Sequence, residues 1–207
     1  MDGILVDGEP LHFAAVNELL GEEGLSISLD AYKPYMGTKT GWRDMMRDYG
    51  LNKPPEHYSD RYRTLIEGHY RDQGTALPGA IETVRELRRR RIPTAVASSS
   101  ILPWVEACLG RLGLAGQFDV VVTGSDVQNG KPDPEIYLLT AKKLDAAPAV
   151  CLAFEDAPAG IASAKAAGMT CWAVRTEYTR GLDLGAPDRT YESLIDVDLD
   201  EIVKVAA

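Results

Sequence analysis

Two textures of hydrophobic patterning divide the chain. From residue 78 onward, short apolar runs alternate with helical periodicity. The runs are Thr94-Ala-Val-Ala97, Val120-Val-Val-Thr123, Val150-Cys-Leu-Ala-Phe154 and Cys171-Trp-Ala-Val174. Between them, residues 80–90, 103–112, 134–144 and 158–167 place apolar side chains at helical spacing, and 193–205 closes the chain with a further helix. Pro158 near one helix start and Gly168 just past its end are ordinary boundary signals. Short apolar runs alternating with helices predict βαβ units and a parallel sheet buried on both faces. Residues 10–74 show no convincing strand. Segments 10–21, 42–49 and 56–70 read as amphipathic helices, with Asn52-Lys-Pro-Pro55 as a loop. The expected organisation is an α/β core of residues 1–8 and 78–207, interrupted by a helical insertion over 9–77.

Chemistry-bearing residues follow the predicted strands. Ser98 follows the first and Ser99 is beside it. Thr123-Gly-Ser-Asp126 follows the second, with Gly130-Lys131-Pro132 a few residues on, and Glu155-Asp156 follows the third. Parallel α/β sheets bind ligands at the carboxyl ends of their strands. A hydroxyl, an ammonium and two carboxylates at that edge suit a phosphate monoester bound with a divalent cation. The hydroxyl and Lys131 would take phosphate oxygens, and the carboxylates would hold Mg²⁺. Singly, Ser98 could cap a helix, Lys131 could be a solvated loop lysine and Glu155-Asp156 a helix N-terminal acidic pair. Together, at three strand ends, they point to one site.

Composition narrows the partners. In 207 residues, 45% are hydrophobic and 26% charged, which is ordinary for a globular protein. The formal net charge of −9 disfavours nucleic acid. No apolar run approaches the ~20 residues of a membrane helix, and no signal-peptide pattern opens the chain. Three cysteines, Cys108, Cys151 and Cys171, suit neither a disulfide framework nor a zinc site. A cytoplasmic protein, monomeric or weakly homodimeric and working on a small phosphorylated metabolite, is the expectation. The basic run Arg88 to Arg91 reads as a solvated helix end.

The motifs Asp2-Gly3-Ile4-Leu5-Val6-Asp7, Ser98, Gly130-Lys131-Pro132-Asp133-Pro134 and Phe154-Glu155-Asp156-Ala157-Pro158-Ala159-Gly160 resemble those of the haloacid dehalogenase superfamily. The likeness is greatest to the branch with a helical cap inserted after the first motif, which includes β-phosphoglucomutase and sugar-phosphate phosphatases. The resemblance implies a Rossmann-like core with a parallel sheet and an α-helical cap. It also implies catalysis through an aspartyl-phosphate. Asp2 then matches the general acid/base, and its carbonyl a Mg²⁺ ligand. Ser98 would hold the transferring phosphoryl group, Lys131 would offset developing charge, and Asp156 with Glu155 would complete the metal site. The family motif reads Asp-x-Asp-Gly, so its nucleophile falls immediately ahead of Met1, together with the apolar strand leading to it. The expectation is a chain short by one strand and its nucleophile, and inactive as it stands. A non-catalytic phosphate-binding relative and a substitute nucleophile are the alternatives. Asp7 is the candidate substitute, although its place at the exit to the cap reads as structural.

Substrate choice would lie in the cap. His12 matches a histidine near the acid/base Asp and could couple cap closure to Asp2. Gly37 to Arg43 is the candidate specificity loop, with Lys39 and Arg43 as substrate contacts; a solvated connecting loop is the alternative. Gly8 replaces the Ser or Thr common at its position and so lacks a hydroxyl. The expected mutase arginine is Thr40 here, which favours a phosphatase over a mutase.

Overall fold

The computed structural model describes residues 1–35 and 41–205. Four helices come first: α1 (Glu9–Glu22), α2 (Leu29–Tyr32), α3 (Gly41–Asp48) and α4 (Pro55–Gln73). The α/β part follows as α5 (Ala80–Arg89), β1 (Ala95–Ala97), α6 (Leu102–Arg111), β2 (Val120–Val122) and α7 (Glu135–Lys143). It continues with β3 (Leu152–Glu155), α8 (Pro158–Ala166), β4 (Thr170–Val174), β5 (Arg189–Tyr191) and α9 (Leu199–Val205). All four apolar runs are strands, and every strand pair is parallel. β1 pairs with β2, and β3, β4 and β5 form a second ladder in that order.

Two features depart from the sequence pattern. β5 was not anticipated, because Arg189-Thr-Tyr191 is short, polar and largely exposed. The last predicted helix begins six residues late, after a 3-10 turn at Leu194–Asp196. The ladders are also separate. Between β1 and β3 lies an apolar cavity of about 290 Å³, lined by both strands and by Met1, Val84, Tyr137 and Leu194 among others.

Residues 1–8 form no strand. Gly3 N–H donates to Val6 O at 2.9 Å, folding Met1 to Val6 into a tight turn. Gly3 takes φ +70°, which a side chain would resist. Val6 bridges Ala76 in antiparallel fashion, and Leu77 N–H donates to Leu5 O at 3.0 Å. The two chain crossings between the helical segment and the α/β part are therefore zipped to each other.

The helical segment is not a detached lobe. α4 packs against both α1 and α6, and one apolar cluster runs from Leu11, Leu19 and Tyr58 through Val105 to Trp172. Trp104 Nε1 donates to Arg63 O at 3.1 Å, and Arg111 Nε to Gly74 O at 3.2 Å, tying α6 to α4 and to the residue after it. Three arginines of the basic run are ion-paired: Arg88 with Asp119, Arg89 with Glu86, and Arg90 with Glu86 and Asp200. No described helix is long and apolar enough to cross a membrane.

Among the described residues Trp172 is the largest fully buried side chain, set edge-on to Phe154 and tilted against Tyr191. Trp172→Ala is expected to cost about 3–5 kcal/mol, because the cavity cannot close around a rigid ladder. Urea unfolding checks this; a loss below about 1 kcal/mol would show that the β3–β4–β5 ladder relaxes freely.

Candidate active site

The carboxyl ends of β1, β2 and β3 gather the predicted residues. After β1 the chain continues the ladder for one residue, with Ser98 N–H donating to Val122 O at 3.0 Å. Ser98 is buried, and its Oγ accepts from Ser100 N–H at 3.2 Å. Ser99 is exposed. After β2, Thr123 and Asp126 cap a 3-10 turn reciprocally. That turn holds the serine loop through Gly124 N–H to Ser100 O at 3.0 Å.

Lys131 enters from the loop before α7. Its Nζ donates to Ala97 O at 3.1 Å and to Glu155 Oε1 at 2.6 Å, and it lies over the Tyr137 ring. The Tyr137 hydroxyl donates to the same Glu155 oxygen. The surrounding motif residues explain how the loop is held. Asp133 Oδ1 accepts from Glu135 N–H, Glu135 accepts from the Gln128 and Asn129 N–H groups, and Ser163 Oγ donates to Asp133 O. The structure therefore turns Glu155 toward Lys131 and Tyr137.

Asp156, one residue on, turns toward the N-terminal segment instead. Burial pushes its carboxyl up to about 6; the charges of Glu155 and Asp2 add to this, and the Met1 amino group opposes it. Glu9, at the start of α1, is pushed up to about 7 by burial and by the charges of Asp2, Asp156 and Asp7. Asp7 is also raised, by burial, Glu177 and Asp2. Among the described residues no ion pair links Asp2, Asp7, Glu9 or Asp156 to a lysine or arginine. Three carboxylates sit where only a glycine leaves room: a Cβ at Gly3 would collide with Asp156, one at Gly8 with Asp2 Oδ1, and one at Gly160 with Glu155.

Asp2 accepts at both oxygens. Tyr70, at the end of α4, donates its hydroxyl to Oδ1 at 2.6 Å, and Ser100 Oγ donates to Oδ2 at 3.2 Å. The Tyr70 oxygen also lies 3.0 Å from His12 Nε2, and His12 Nδ1 lies 2.5 Å from the Tyr62 hydroxyl. Trp104 closes this aromatic cluster edge-on to His12. The sequence pattern did not single out Tyr70, Tyr62 or Ser100. Ser100 carried a signal as the third serine of its run, whereas the tyrosines look like core positions of an amphipathic helix. Arg43 is exposed on α3, and Lys39 lies outside the described residues.

The site suits a hard divalent cation. The donors are all oxygens, and the carboxylates crowd one another without a basic side chain to separate them. Among the described residues no three ligating side chains meet at one point. The chain would offer the Asp156 carboxylate and the Asp2 carbonyl, with water and phosphate filling the remainder, as Mg²⁺ tolerates.

The chain is similar to known proteins. The model of the haloacid dehalogenase-like hydrolase family matches residues 1–168. The chain is 36% identical over 178 residues to fructose-1-phosphate phosphatase YqaB of Escherichia coli, spanning 84% of this chain and 93% of that protein. It is 35% identical over 173 residues to the phosphorylated carbohydrates phosphatase of Thermotoga maritima, spanning 82% and 79%. A crystal structure of CbbY from Rhodobacter sphaeroides, an aspartate-to-asparagine variant in complex with xylulose 1,5-bisphosphate, superposes with a TM-score of 0.86. That match has 27% identity and covers 98% of this chain and 96% of the other.

The raised carboxyls set a pH dependence. A group raised in the fold holds its proton longer than in the unfolded chain, so its contribution falls as pH climbs from the ordinary value of 3.8 for Asp156 toward about 6. A rise of about two units corresponds to roughly 3 kcal/mol. His12, lowered by burial, slopes the other way, so the informative quantity is a difference between variants. Asp156→Asn is expected to gain stability over the parent as pH rises from about 4 to 6, and millimolar Mg²⁺ to stabilise the parent alone. Thermal unfolding measures both; a pH-independent difference, or equal Mg²⁺ effects, would contradict the crowding.

Proposed function

The chain belongs to the haloacid dehalogenase-like hydrolases, and from that premise we propose a Mg²⁺-dependent phosphatase of a small phosphorylated metabolite, a sugar or polyol phosphate. The observation that supports this reading is that Ser98, Lys131 and Asp156 lie at the carboxyl ends of β1 and β3, with Ser100 joining Ser98 to Asp2 and the Asp2 charge acting on Asp156. The substrate class follows relatives that act on fructose 1-phosphate and phosphorylated carbohydrates.

In this reading Ser98 and Lys131 hold phosphate oxygens, and Glu155 aims Lys131. Asp156 and the Asp2 carbonyl would hold Mg²⁺, which supplies positive charge against the repulsion between phosphate and carboxylates. Asp2 gives a proton to the leaving oxygen, then takes one from the water that hydrolyses the aspartyl-phosphate. The family motif places the nucleophilic Asp two positions before Asp2. Residues 9–77 would form the cap that closes over substrate.

A chain carrying an Asp at that motif position is expected to release phosphate from sugar phosphates with Mg²⁺. The 207-residue chain alone should fall at least ~10³-fold short, the scale of losing a catalytic nucleophile. Ser98→Ala or Lys131→Ala in the extended chain should lower kcat about 10²-fold or more. Absence of phosphate release across a broad metabolite panel would sink the reading. Isomerisation stimulated by a bisphosphate, with little phosphate released, would replace it with a mutase.

A further inference from the structure

Tyr70 lies 68 residues from Asp2 in sequence and belongs to α4, in the helical segment, yet its hydroxyl makes the shorter of the two hydrogen bonds to the Asp2 carboxylate. The proton positions in this chain of contacts follow from its chemistry. The Tyr70 hydroxyl has one proton, and a carboxylate can only accept, so that proton points to Asp2 Oδ1. The Tyr70 oxygen must then accept from His12 Nε2, which carries the imidazole proton. With Nε2 protonated, Nδ1 of the neutral ring accepts from the Tyr62 hydroxyl 2.5 Å away. Enclosure keeps the ring neutral and both phenols protonated: burial lowers His12 and raises Tyr62 and Tyr70. The bonds therefore run one way, from Tyr62 through His12 and Tyr70 to Asp2. Gly8 completes the geometry, because a side chain there would occupy the place of the oxygen that Tyr70 binds.

We propose that Tyr70 is the positioning residue for Asp2. Its hydroxyl, aimed by His12 and Tyr62, fixes Oδ1 as an acceptor and leaves Oδ2 as the oxygen that carries the reacting proton. The proposal rests on the phosphatase reading for its consequence and on the hydrogen bonds for its geometry. As the P–O bond breaks, the proton leaves Oδ2 for the leaving oxygen, and the Oδ2 lone pair is refilled by a proton from the attacking water. Ser100, at 3.2 Å from Oδ2, is the contact that substrate or water replaces. Because the hydroxyl comes from α4, Asp2 is oriented only while that helix is seated against α6.

Two measurements test this. In the 207-residue chain, Tyr70→Phe should lower the urea midpoint more when Asp2 is present than in an Asp2→Ala background, where only its contact with His12 is lost. In a chain carrying the Asp ahead of Met1, Tyr70→Phe should lower kcat about 10-fold, a loss on the scale of general acid–base assistance, with KM unchanged. Gly8→Ser should lower kcat in the parent by displacing Oδ1 from Tyr70, and raise it in the Tyr70→Phe background by supplying a nearer hydroxyl. Additive effects of the two substitutions, or a kcat indifferent to Tyr70→Phe, would overturn the positioning role and leave the phosphatase reading intact. A chain without turnover in any variant would instead remove that reading, while the urea comparison would still report whether Tyr70 holds Asp2.

Discussion

Crowding of like charge governs the architecture around the strand ends. Asp2, Asp7, Glu9 and Asp156 come from a turn, a chain crossing, a helix start and a strand end, and each of the last three has its carboxyl raised by burial together with neighbouring charge. Two charges about 4 Å apart repel by ~4 kcal/mol at the effective dielectric of a protein surface, so this gathering is costly unless the surroundings offset it. The surroundings do so in separable ways. Glycines at 3, 8 and 160 give three carboxylates room to be placed at all. Hydroxyls of Tyr70 and Ser100 satisfy the oxygens of Asp2. Lys131 and Tyr137 take Glu155 away from the cluster.

Such an arrangement needs a rigid frame, since freely moving carboxylates would separate. The frame is shared between the helical segment and the α/β part. One apolar cluster spans α1, α4 and α6, and the zipped crossings at Val6 and Ala76 fix the turn that carries Asp2. The polar chain from Tyr62 to Asp2 runs inside that apolar contact. Low local dielectric strengthens each hydrogen bond there and raises the cost of leaving any member unpaired. The packing that seats α4 and the polarity that orients Asp2 therefore stand or fall together.

Much of this was legible in the sequence, for identifiable reasons. The four β-branched or apolar runs are parallel strands, of which β4 is buried along most of its length and the others in part, and burial is what writes a continuous apolar run. Ser98, Lys131 and Asp156 could be placed because each follows such a run, so local order in the chain maps onto one edge of the ladders. β5 escaped notice because an exposed edge strand needs no apolar pattern; Arg189 and Thr190 are exposed. Tyr70 escaped because its partner is distant in sequence and because a tyrosine at helical spacing serves the core equally well. Glu155 and Asp156 are neighbours in the chain that look alike on paper. Successive residues of a strand point to opposite faces, which sends one to Lys131 and the other to Asp2. No one-dimensional pattern separates those roles.

Charge also decides what can occupy the site. The net charge of −9 already repels polyanions at long range, and the local balance is stricter. Lys131 is the basic side chain at these strand ends, and its charge is matched by Glu155 at 2.6 Å. A phosphate dianion arriving beside Asp2, Asp7, Glu9 and Asp156 would thus meet net negative charge from the protein alone. Hydrogen bonds from Ser98 and the serine-loop backbone can orient such a ligand, but they carry no net charge to attract it. In the proposed reading, the same crowding that raises Asp156 and Glu9 would make the site a weak binder of bare phosphate and a better binder of phosphate that arrives with a divalent cation. Affinity for one is then coupled to affinity for the other, as linkage between two ligands of opposite charge requires.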